Sequence, residues 1–76
     1  MKKFDIMLST INDVKFFVNT VSKYDFDVDL ISGRYAVDAK SIMGIFSLDL
    51  SKQITLEAHT DEDSAFFDEI AKFVVK

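Results

Sequence analysis

The sequence predicts an α+β fold in which helices cover one face of an antiparallel sheet. Four short segments alternate apolar and polar residues with a period of two, which is typical of strands. Two longer segments instead carry apolar residues at the spacing of an amphipathic helix. Each strand segment is apolar on one face only, which indicates one face on the core and one in water. The length of 76 residues predicts one domain, residues 1–76.

The predicted strands are separated by turn signals or by helical segments. They are KFDIMLS at 3–9, DFDVDL at 25–30, YAVD at 35–38 and QITLEAH at 53–59. The sequence SGR at 32–34 is a turn signal, so the second and third strands are expected to form a hairpin.

The first helix is predicted over residues 9–24. Its apolar stripe falls at positions i, i+3, i+4 and i+7, which are Val14, Phe17, Val18 and Val21. Thr10 or Asn12 is expected to be the N-cap. Asp13 would then lie at the positive end of the helix dipole, where a carboxylate is stabilising.

Another helix is predicted over residues 60–76, where Thr60 and Asp63 form a start that resembles a capping box. Its apolar stripe consists of Phe66, Ile70, Phe73 and Val74. Lys72 and Lys76 lie near the negative end of this helix, where cations are favoured.

Composition and charge disfavour several classes of function. The net charge is −4 and the nine Lys and Arg are scattered, so no nucleic-acid surface is expected. The acidic balance disfavours binding to anionic membranes, and no apolar stretch approaches the roughly 20 residues that span a bilayer. Without cysteine there is no disulfide or thiol chemistry, and a cytoplasmic protein is the simplest expectation.

No metal site and no cofactor are expected either. The single histidine, His59, is not surrounded by ligand residues at a metal-binding spacing. Asp25, Asp27 and Asp29 share one face of a predicted strand, where successive carboxylates stand about 7 Å apart and do not converge. A solvated strand face is the preferred interpretation of these three acids.

The stretch AKSIMGIFSL, residues 39–48, places one serine directly before an apolar run. Ser41 is a favourable N-cap for a short helix. A short helix that rests on a sheet buries one side only, so part of this run must point outward. We expect Ile45 and Leu48 to lie in the core.

This stretch, together with the order of the segments, resembles HPr, the histidine-containing phosphocarrier of the bacterial sugar phosphotransferase system. The resemblance is most specific at KSIMG, residues 40–44, and at Ser47-Leu48, with a weaker match at Ser22-Lys23-Tyr24. It implies an open-faced β-sandwich, with a four-stranded antiparallel sheet in the order 1-4-2-3 and three helices on one face. It also implies two phosphorylation positions, a histidine at the start of the first helix and a serine before the second.

The sequence departs from this family at the histidine position. Aligned without gaps, Thr10 falls on the histidine, Asn12 on an arginine and Asp13 on a proline. A threonine phosphate ester is a much poorer phosphoryl donor than a phosphohistidine. Asn12 lacks the charge that clamps a phosphate, and Asp13 repels one. We therefore expect Thr10 to be a helix cap.

His59 is not expected to replace the missing histidine. His59 ends the fourth predicted strand, away from the end of the first strand, and by its period it points to the open face of the sheet. We expect no catalytic residue and no enzymatic activity.

Ser41 falls on the regulatory serine of the family. A phosphate there would add charge at a helix N-terminus, where it is tolerated. Capping without phosphorylation is the open alternative. Partner binding is implied at positions that fall on the family's docking patch, which are Ile11, Asn12, Lys15, Asn19, Ile42, Met43 and Phe46. An apolar patch with a polar rim is a common protein-binding surface.

Three hypotheses for function follow. The first is a regulatory or interaction protein without histidine phosphotransfer, similar to the Crh-type relatives of HPr and controlled through Ser41. Its partners by resemblance are phosphotransferase-system enzymes, the HPr serine kinase or a transcriptional regulator. The second is a phosphocarrier in sugar uptake that uses a non-standard residue. The third is an interaction scaffold that is never phosphorylated.

Overall fold

The structure, a computed structural model, describes residues 2–60 and 64–75. Short loops separate most of its helices and strands. In chain order these are β1 (Lys2–Ile6), α1 (Ile11–Val21), β2 (Val28–Ser32), β3 (Tyr35–Asp38), α2 (Ile42–Phe46), β4 (Ile54–Ala58), α3 (Ser64–Ile70) and a 3₁₀ turn (Ala71–Phe73).

The sheet has the strand order β1-β4-β2-β3, and all neighbouring strands are antiparallel. Both the predicted order and the predicted α+β class are confirmed. The inner strand β4 places Leu56 opposite Phe4 of β1 and opposite Leu30 of β2. The helices cover one face of this sheet, and the other face is open.

The core lies between the sheet and the helices. Its buried side chains are Ile6, Leu8, Val14, Phe17, Val21, Val28, Leu30, Ala39, Ile45, Leu48, Ile54, Leu56, Ala58, Phe66, Ile70 and Phe73. In β4 the buried residues alternate with Thr55 and Glu57, which are partly exposed on the open face. Within the described ranges, no helix is long and apolar enough to cross a bilayer.

The hairpin between β2 and β3 closes through a two-residue loop, as the turn signal predicts. Ser32 pairs with Tyr35, so Gly33 and Arg34 form the loop. Gly33 has a φ of 60°, in the left-handed region that glycine adopts without a steric cost.

Two strands are shorter than their alternation predicts. β1 ends at Ile6, three residues early, although Leu8 is still buried as expected. β2 begins at Val28 and not at Asp25. The half-buried Phe26 lies in the preceding loop, where its ring packs 5.1 Å from Phe66. This aromatic contact, and not strand pairing, explains the apolar residue at that position.

The C-terminal segment also differs from the prediction of one helix over 60–76. α3 ends at Ile70, and Val74 is extended and forms a β-bridge with Ile6. The Met7 N–H donates to the Phe73 carbonyl at 2.9 Å, and the Val75 N–H donates to the Asp5 carbonyl at 2.8 Å. Backbone groups on the outer edge of β1 are satisfied in this way, which offsets the loss of helical hydrogen bonds. Asp63 and Lys76 lie outside the described residues.

α3 is joined to the end of α1 through one carboxylate. Glu69 accepts a hydrogen bond from the Tyr24 hydroxyl at 2.8 Å and lies 2.6 Å from the Lys23 ammonium. The hydrogen bond from Lys23, followed by that from Tyr24, lowers the pKa of Glu69. This contact fixes the relative position of two helices on the same face of the sheet.

Candidate functional site

The first candidate position is the N-terminus of α1, where Thr10 is the N-cap. Its hydroxyl oxygen accepts a hydrogen bond from the Asp13 N–H at 3.0 Å. In return, the Asp13 carboxylate accepts from the backbone N–H groups of Thr10, at 3.3 Å, and Ser9, at 3.1 Å. The two residues form a complete capping box. The expected capping role of Thr10 is confirmed, and Asn12 is not the cap.

This capping box changes what the helix terminus can bind. Free N–H groups and the helix dipole make a helix N-terminus favourable for phosphate. Here the Asp13 carboxylate accepts hydrogen bonds from the N–H groups of Ser9 and Thr10. It also brings a negative charge to the helix terminus. An incoming phosphate would be repelled by that carboxylate and would compete with it for donors.

The second candidate position is Ser41, at the start of α2. Its side-chain oxygen accepts a hydrogen bond from the Gly44 N–H at 3.2 Å, so the predicted cap is confirmed. Ser41 is exposed, and α2 has no acidic residue in its first turn. The first turn of α2 therefore lacks a counterpart of Asp13, and the nearby Asp38 carboxylate accepts from the Lys40 N–H at 2.8 Å, before the helix begins.

Gly44 is closely confined beside that serine. A Cβ atom at this position would lie 3.3 Å from the Ser41 side-chain oxygen and 3.3 Å from the Cβ of Val37 in β3. Both separations are tighter than ordinary van der Waals contact. The small residue lets α2 approach β3 and keeps the Ser41 cap short.

The apolar run after Ser41 is divided between core and solvent. Ile45 is fully buried and Leu48 is 7% exposed, as expected. Met43 is 77% exposed and Phe46 is 42% exposed. Ile42 is half-buried and packs against the core. The outward residues of α2 are thus a methionine and a phenylalanine, whose side chains suit contact with another protein.

The positions of α1 predicted for partner binding all lie at the surface. Ile11 is 62% exposed, and Asn12, Lys15 and Asn19 are also exposed. α1 and α2 pack against each other, so these residues and those of α2 belong to neighbouring elements.

Phe16 is a further exposed apolar residue of α1 that the periodicity did not single out. Its side chain is 47% exposed and lies outside the predicted stripe. The Lys72 ammonium stands 3.4 Å from its ring centroid, and the Phe73 ring packs at 6.1 Å. The sequence feature that could have identified Phe16 is its position directly next to Phe17, since neighbouring residues on a helix cannot both face the core.

His59 follows β4 and is exposed, as predicted. Ala58 pairs with Lys2, so His59 lies near the start of β1, whereas Thr10 follows its end. The imidazole Nε2 lies 2.9 Å from the Asp29 carboxylate on the open face. Asp29, Glu57 and His59 also come together there, with one ligand atom from each within 4.8 Å of the others. This grouping across strands was not predicted from spacing along the chain.

A shallow cleft lies between the β2–β3 loop and the segment before β4. Its volume is about 470 Å³, and its charged lining residues are Arg34, Asp49 and Lys52. Hydrogen bonds from the Ser51 hydroxyl and backbone, with a smaller effect of Lys52, lower the pKa of Asp49. None of the predicted site residues lines this cleft.

Comparison with known families agrees with the fold. The model of the family described as the PTS HPr component phosphorylation site matches residues 14–76. The chain belongs to the HPr family. The part that matches this HPr model includes Ser41, and it begins after Thr10.

Solved structures of HPr proteins share the fold. HPr-C-His from Thermoanaerobacter tengcongensis superposes with a TM-score of 0.78 at 28% identity, over 95% of this chain and 89% of that one. The phosphocarrier protein HPr from Bacillus anthracis superposes with a TM-score of 0.71 at 23% identity, over 97% and 94%. Crh of Bacillus subtilis, which crystallised as a swapped dimer, superposes with a TM-score of 0.65 at 23% identity, over 93% of this chain and 88% of that one.

Proposed function

We propose that this HPr-family protein has a regulatory or interaction role in the phosphotransferase system, without histidine phosphotransfer, and that phosphorylation of Ser41 controls it. The observation that carries the proposal is the reciprocal cap between Thr10 and Asp13. It engages the Thr10 hydroxyl and holds the negatively charged Asp13 carboxylate beside the helix terminus at which a transferred phosphate would be stabilised.

The chemistry of the side chain at position 10 supports the first part of this proposal. A carrier must accept a phosphoryl group and release it to the next protein at little cost in free energy. Imidazole is a nucleophile near neutral pH, whereas an alcohol needs an adjacent base. The Thr10 hydroxyl accepts a hydrogen bond from the Asp13 N–H and is engaged in the cap.

The environment of Ser41 supports the second part. A phosphate on this exposed serine would add a charge of about −1.5 to −2 and three strong acceptors. Met43 and Phe46, in the two turns that follow, are exposed. The modification would place charge beside apolar side chains, and so it would change which partner surface these residues can contact.

The partners that fit are proteins of the phosphotransferase system, a serine kinase and a transcriptional regulator, acting in the cytoplasm. The residues proposed to contact them are Ile11, Asn12, Lys15, Asn19, Ile42, Met43 and Phe46. Exposed Met and aromatic side chains on α2, with exposed amide and lysine side chains on the neighbouring α1, resemble the apolar centre and polar rim of a transient interface.

The test uses two phosphorylation reactions on the purified protein. One contains phosphoenolpyruvate and the first enzyme of the system, and the other contains ATP and the HPr serine kinase. Intact-mass measurement and peptide mapping then locate any added phosphate. We expect no phosphate from phosphoenolpyruvate and one phosphate from the kinase, on Ser41.

Matched variants give the controls. Ser41→Ala should abolish labelling by the kinase, and Ser47→Ala, at the opposite end of α2, should leave it unchanged. Phosphate from phosphoenolpyruvate on any residue would favour a carrier with a non-standard acceptor. Absence of kinase labelling in the unaltered protein would favour a scaffold that is never phosphorylated.

A gain-of-function series tests the argument about the helix terminus. Thr10→His alone should remain a poor acceptor because the Asp13 carboxylate still repels phosphate. The combination of Thr10→His, Asn12→Arg and Asp13→Pro should accept phosphate. It restores the histidine nucleophile and an arginine that can bind the phosphate, and it removes the carboxylate that repels it. Equal labelling of the single and triple variants would contradict the role assigned to Asp13.

A further inference from the structure

Three potential metal ligands meet on the open face of the sheet, near the end of β4. Asp29 of β2 pairs directly with Glu57 of β4. His59 lies two residues after Glu57, so it projects from the same face, diagonally from Asp29. One ligand atom from each of the three lies within 4.8 Å of the others.

The arrangement is unfavourable as a purely structural feature. Carboxylates directly opposite each other on neighbouring strands are destabilising. Asp29 faces Glu57 on one side and Asp38 of β3 on the other, so three acids occupy adjacent positions across the sheet. Lys3 offsets part of this charge, because its ammonium lies 3.3 Å from the Glu57 carboxylate.

We propose that Asp29, Glu57 and His59 form a binding site for a divalent transition-metal ion of the zinc class. One imidazole nitrogen and two carboxylate oxygens are a ligand set that zinc accepts, with a water molecule as the fourth ligand. The nitrogen ligand disfavours Mg²⁺ and Ca²⁺, which prefer oxygen. The site lies away from Thr10 and is independent of the proposed function.

The separation of two ligand atoms is already close to what such an ion requires, and the third lies within 4.8 Å of them, so the Glu57 side chain must turn toward the other two. The Nε2 atom of His59 and the Oδ2 atom of Asp29 are 2.9 Å apart. The edge of a tetrahedron with metal–ligand bonds of about 2 Å is roughly 3.3 Å long. Both side chains are about two-fifths exposed, so an ion can reach them from solvent. Because paired strands hold two of the ligands, only side-chain rotation is needed to form the site.

The ion pair between Lys3 and Glu57 provides a test of whether Glu57 is a zinc ligand. The Lys3 ammonium competes with a metal ion for the Glu57 carboxylate. Replacing it with the neutral Lys3→Gln should therefore strengthen zinc binding. This gain should shrink when Glu57→Gln is also present, whereas a surface imidazole that binds zinc without Glu57 would gain equally with and without that second change.

The experiment is a zinc titration of the full chain, followed by calorimetry and by NMR of the imidazole ring. The protein has a single histidine, so the ring signals belong to His59 without further assignment. We expect zinc, and not magnesium, to shift these signals at stoichiometric amounts. A spectrum that does not respond to zinc would overturn the proposal.

The variants identify the ligands. Loss of groups that merely support a metal ligand already weakens binding by 10- to 100-fold, so Asp29→Asn and Glu57→Gln should each weaken it by about tenfold or more. Asp25→Asn, an exposed acid just before β2, is the matched control and should change nothing. Far-UV circular dichroism verifies that each variant is folded. If Asp29→Asn and Glu57→Gln bind zinc as the unaltered protein does, or if His59→Gln still binds it, the three-residue site is refuted.

Discussion

Thr10 and Asp13 cap each other at the first turn of α1, with the hydroxyl accepting from the Asp13 N–H at 3.0 Å and the carboxylate accepting from the Thr10 N–H at 3.3 Å. The same terminus carries the histidine position implied by the family resemblance. A stabilising local motif, which includes a carboxylate, thus stands at the helix terminus where the proposal places no phosphate. The contribution of this cap to stability can be measured separately from the proposed function.

Thr10→Ala should lower the free energy of unfolding by about 1 kcal/mol, because the Asp13 N–H loses its side-chain acceptor. Urea denaturation monitored by circular dichroism measures this change. Thr10→Ser keeps the acceptor and should be close to neutral. Ser9→Ala is the matched control, since only the backbone of Ser9 takes part in the cap. Equal stability of Thr10→Ala and Ser9→Ala would show that the cap contributes nothing.

Gly33→Ala should lower stability by roughly 1–2 kcal/mol, because the positive φ of 60° strains any residue with a Cβ. No atom beyond the glycine and its two chain neighbours lies within 4 Å of the position that the new Cβ would take, so the cost comes from the local backbone and not from tertiary contacts. Gly33→Asn should be less destabilising, since asparagine tolerates the left-handed region. Chemical denaturation of both variants, with Arg34→Ala as the neighbouring control, checks the prediction. A larger loss for the asparagine variant would contradict it.

Glu69→Gln should flatten the dependence of stability on acid pH. Lys23 and Tyr24 lower the pKa of Glu69 in the folded state, so the unfolded chain takes up the proton first. The stabilisation from Glu69 is present at neutral pH and is lost as the pH falls through the folded-state pKa. Denaturation midpoints between about pH 5 and pH 2 measure the slope. Asp68→Asn, which also removes one carboxylate from an exposed position on the same helix, is the matched control.

Phe66→Ala should cost about 3–5 kcal/mol, which is the usual range for a buried phenylalanine. Its fully buried ring contacts Tyr24 and Phe26, each at 5.1 Å, and Phe67 at 5.4 Å. Thermal or urea unfolding measures the loss. Phe16→Ala removes a ring that is 47% exposed and should cost clearly less. A similar loss for both would mean that the aromatic cluster is not a main element of the core.

The spacing of apolar residues and the helix-capping residues predicted most of the fold. The stripe of α1 has Val14, Phe17 and Val21 buried, and the caps at Thr10 and Ser41 form as expected. These features are local, because they depend on residues within one or two turns of each other. The division of the run after Ser41 also followed from one physical constraint, that a helix on a sheet buries one side.

The errors occurred where contacts distant in sequence decide the local structure. The alternation of residues 25–30 predicted a strand, but Phe26 packs against Phe66 and pairing begins only at Val28. The apolar stripe predicted a helix over residues 60–76, but hydrogen bonds to β1 and to the residue after it extend the chain at Val74. The grouping of Asp29 with His59 depends on strand register, which no spacing along the chain specifies.

The pairing of residues 73–75 with β1 has a consequence for association between copies of the chain. A bare edge strand presents unpaired backbone groups that another chain can join. Here the Val75 N–H donates to the Asp5 carbonyl of β1 and the Phe73 carbonyl accepts from the Met7 N–H just after β1, so residues 73–75 cover the last part of that edge. Detaching this segment would expose unpaired backbone groups of a second edge strand, β1. These groups could then pair with another chain in strand exchange or aggregation. The opposite edge, β3, has only four residues and offers a short template for pairing.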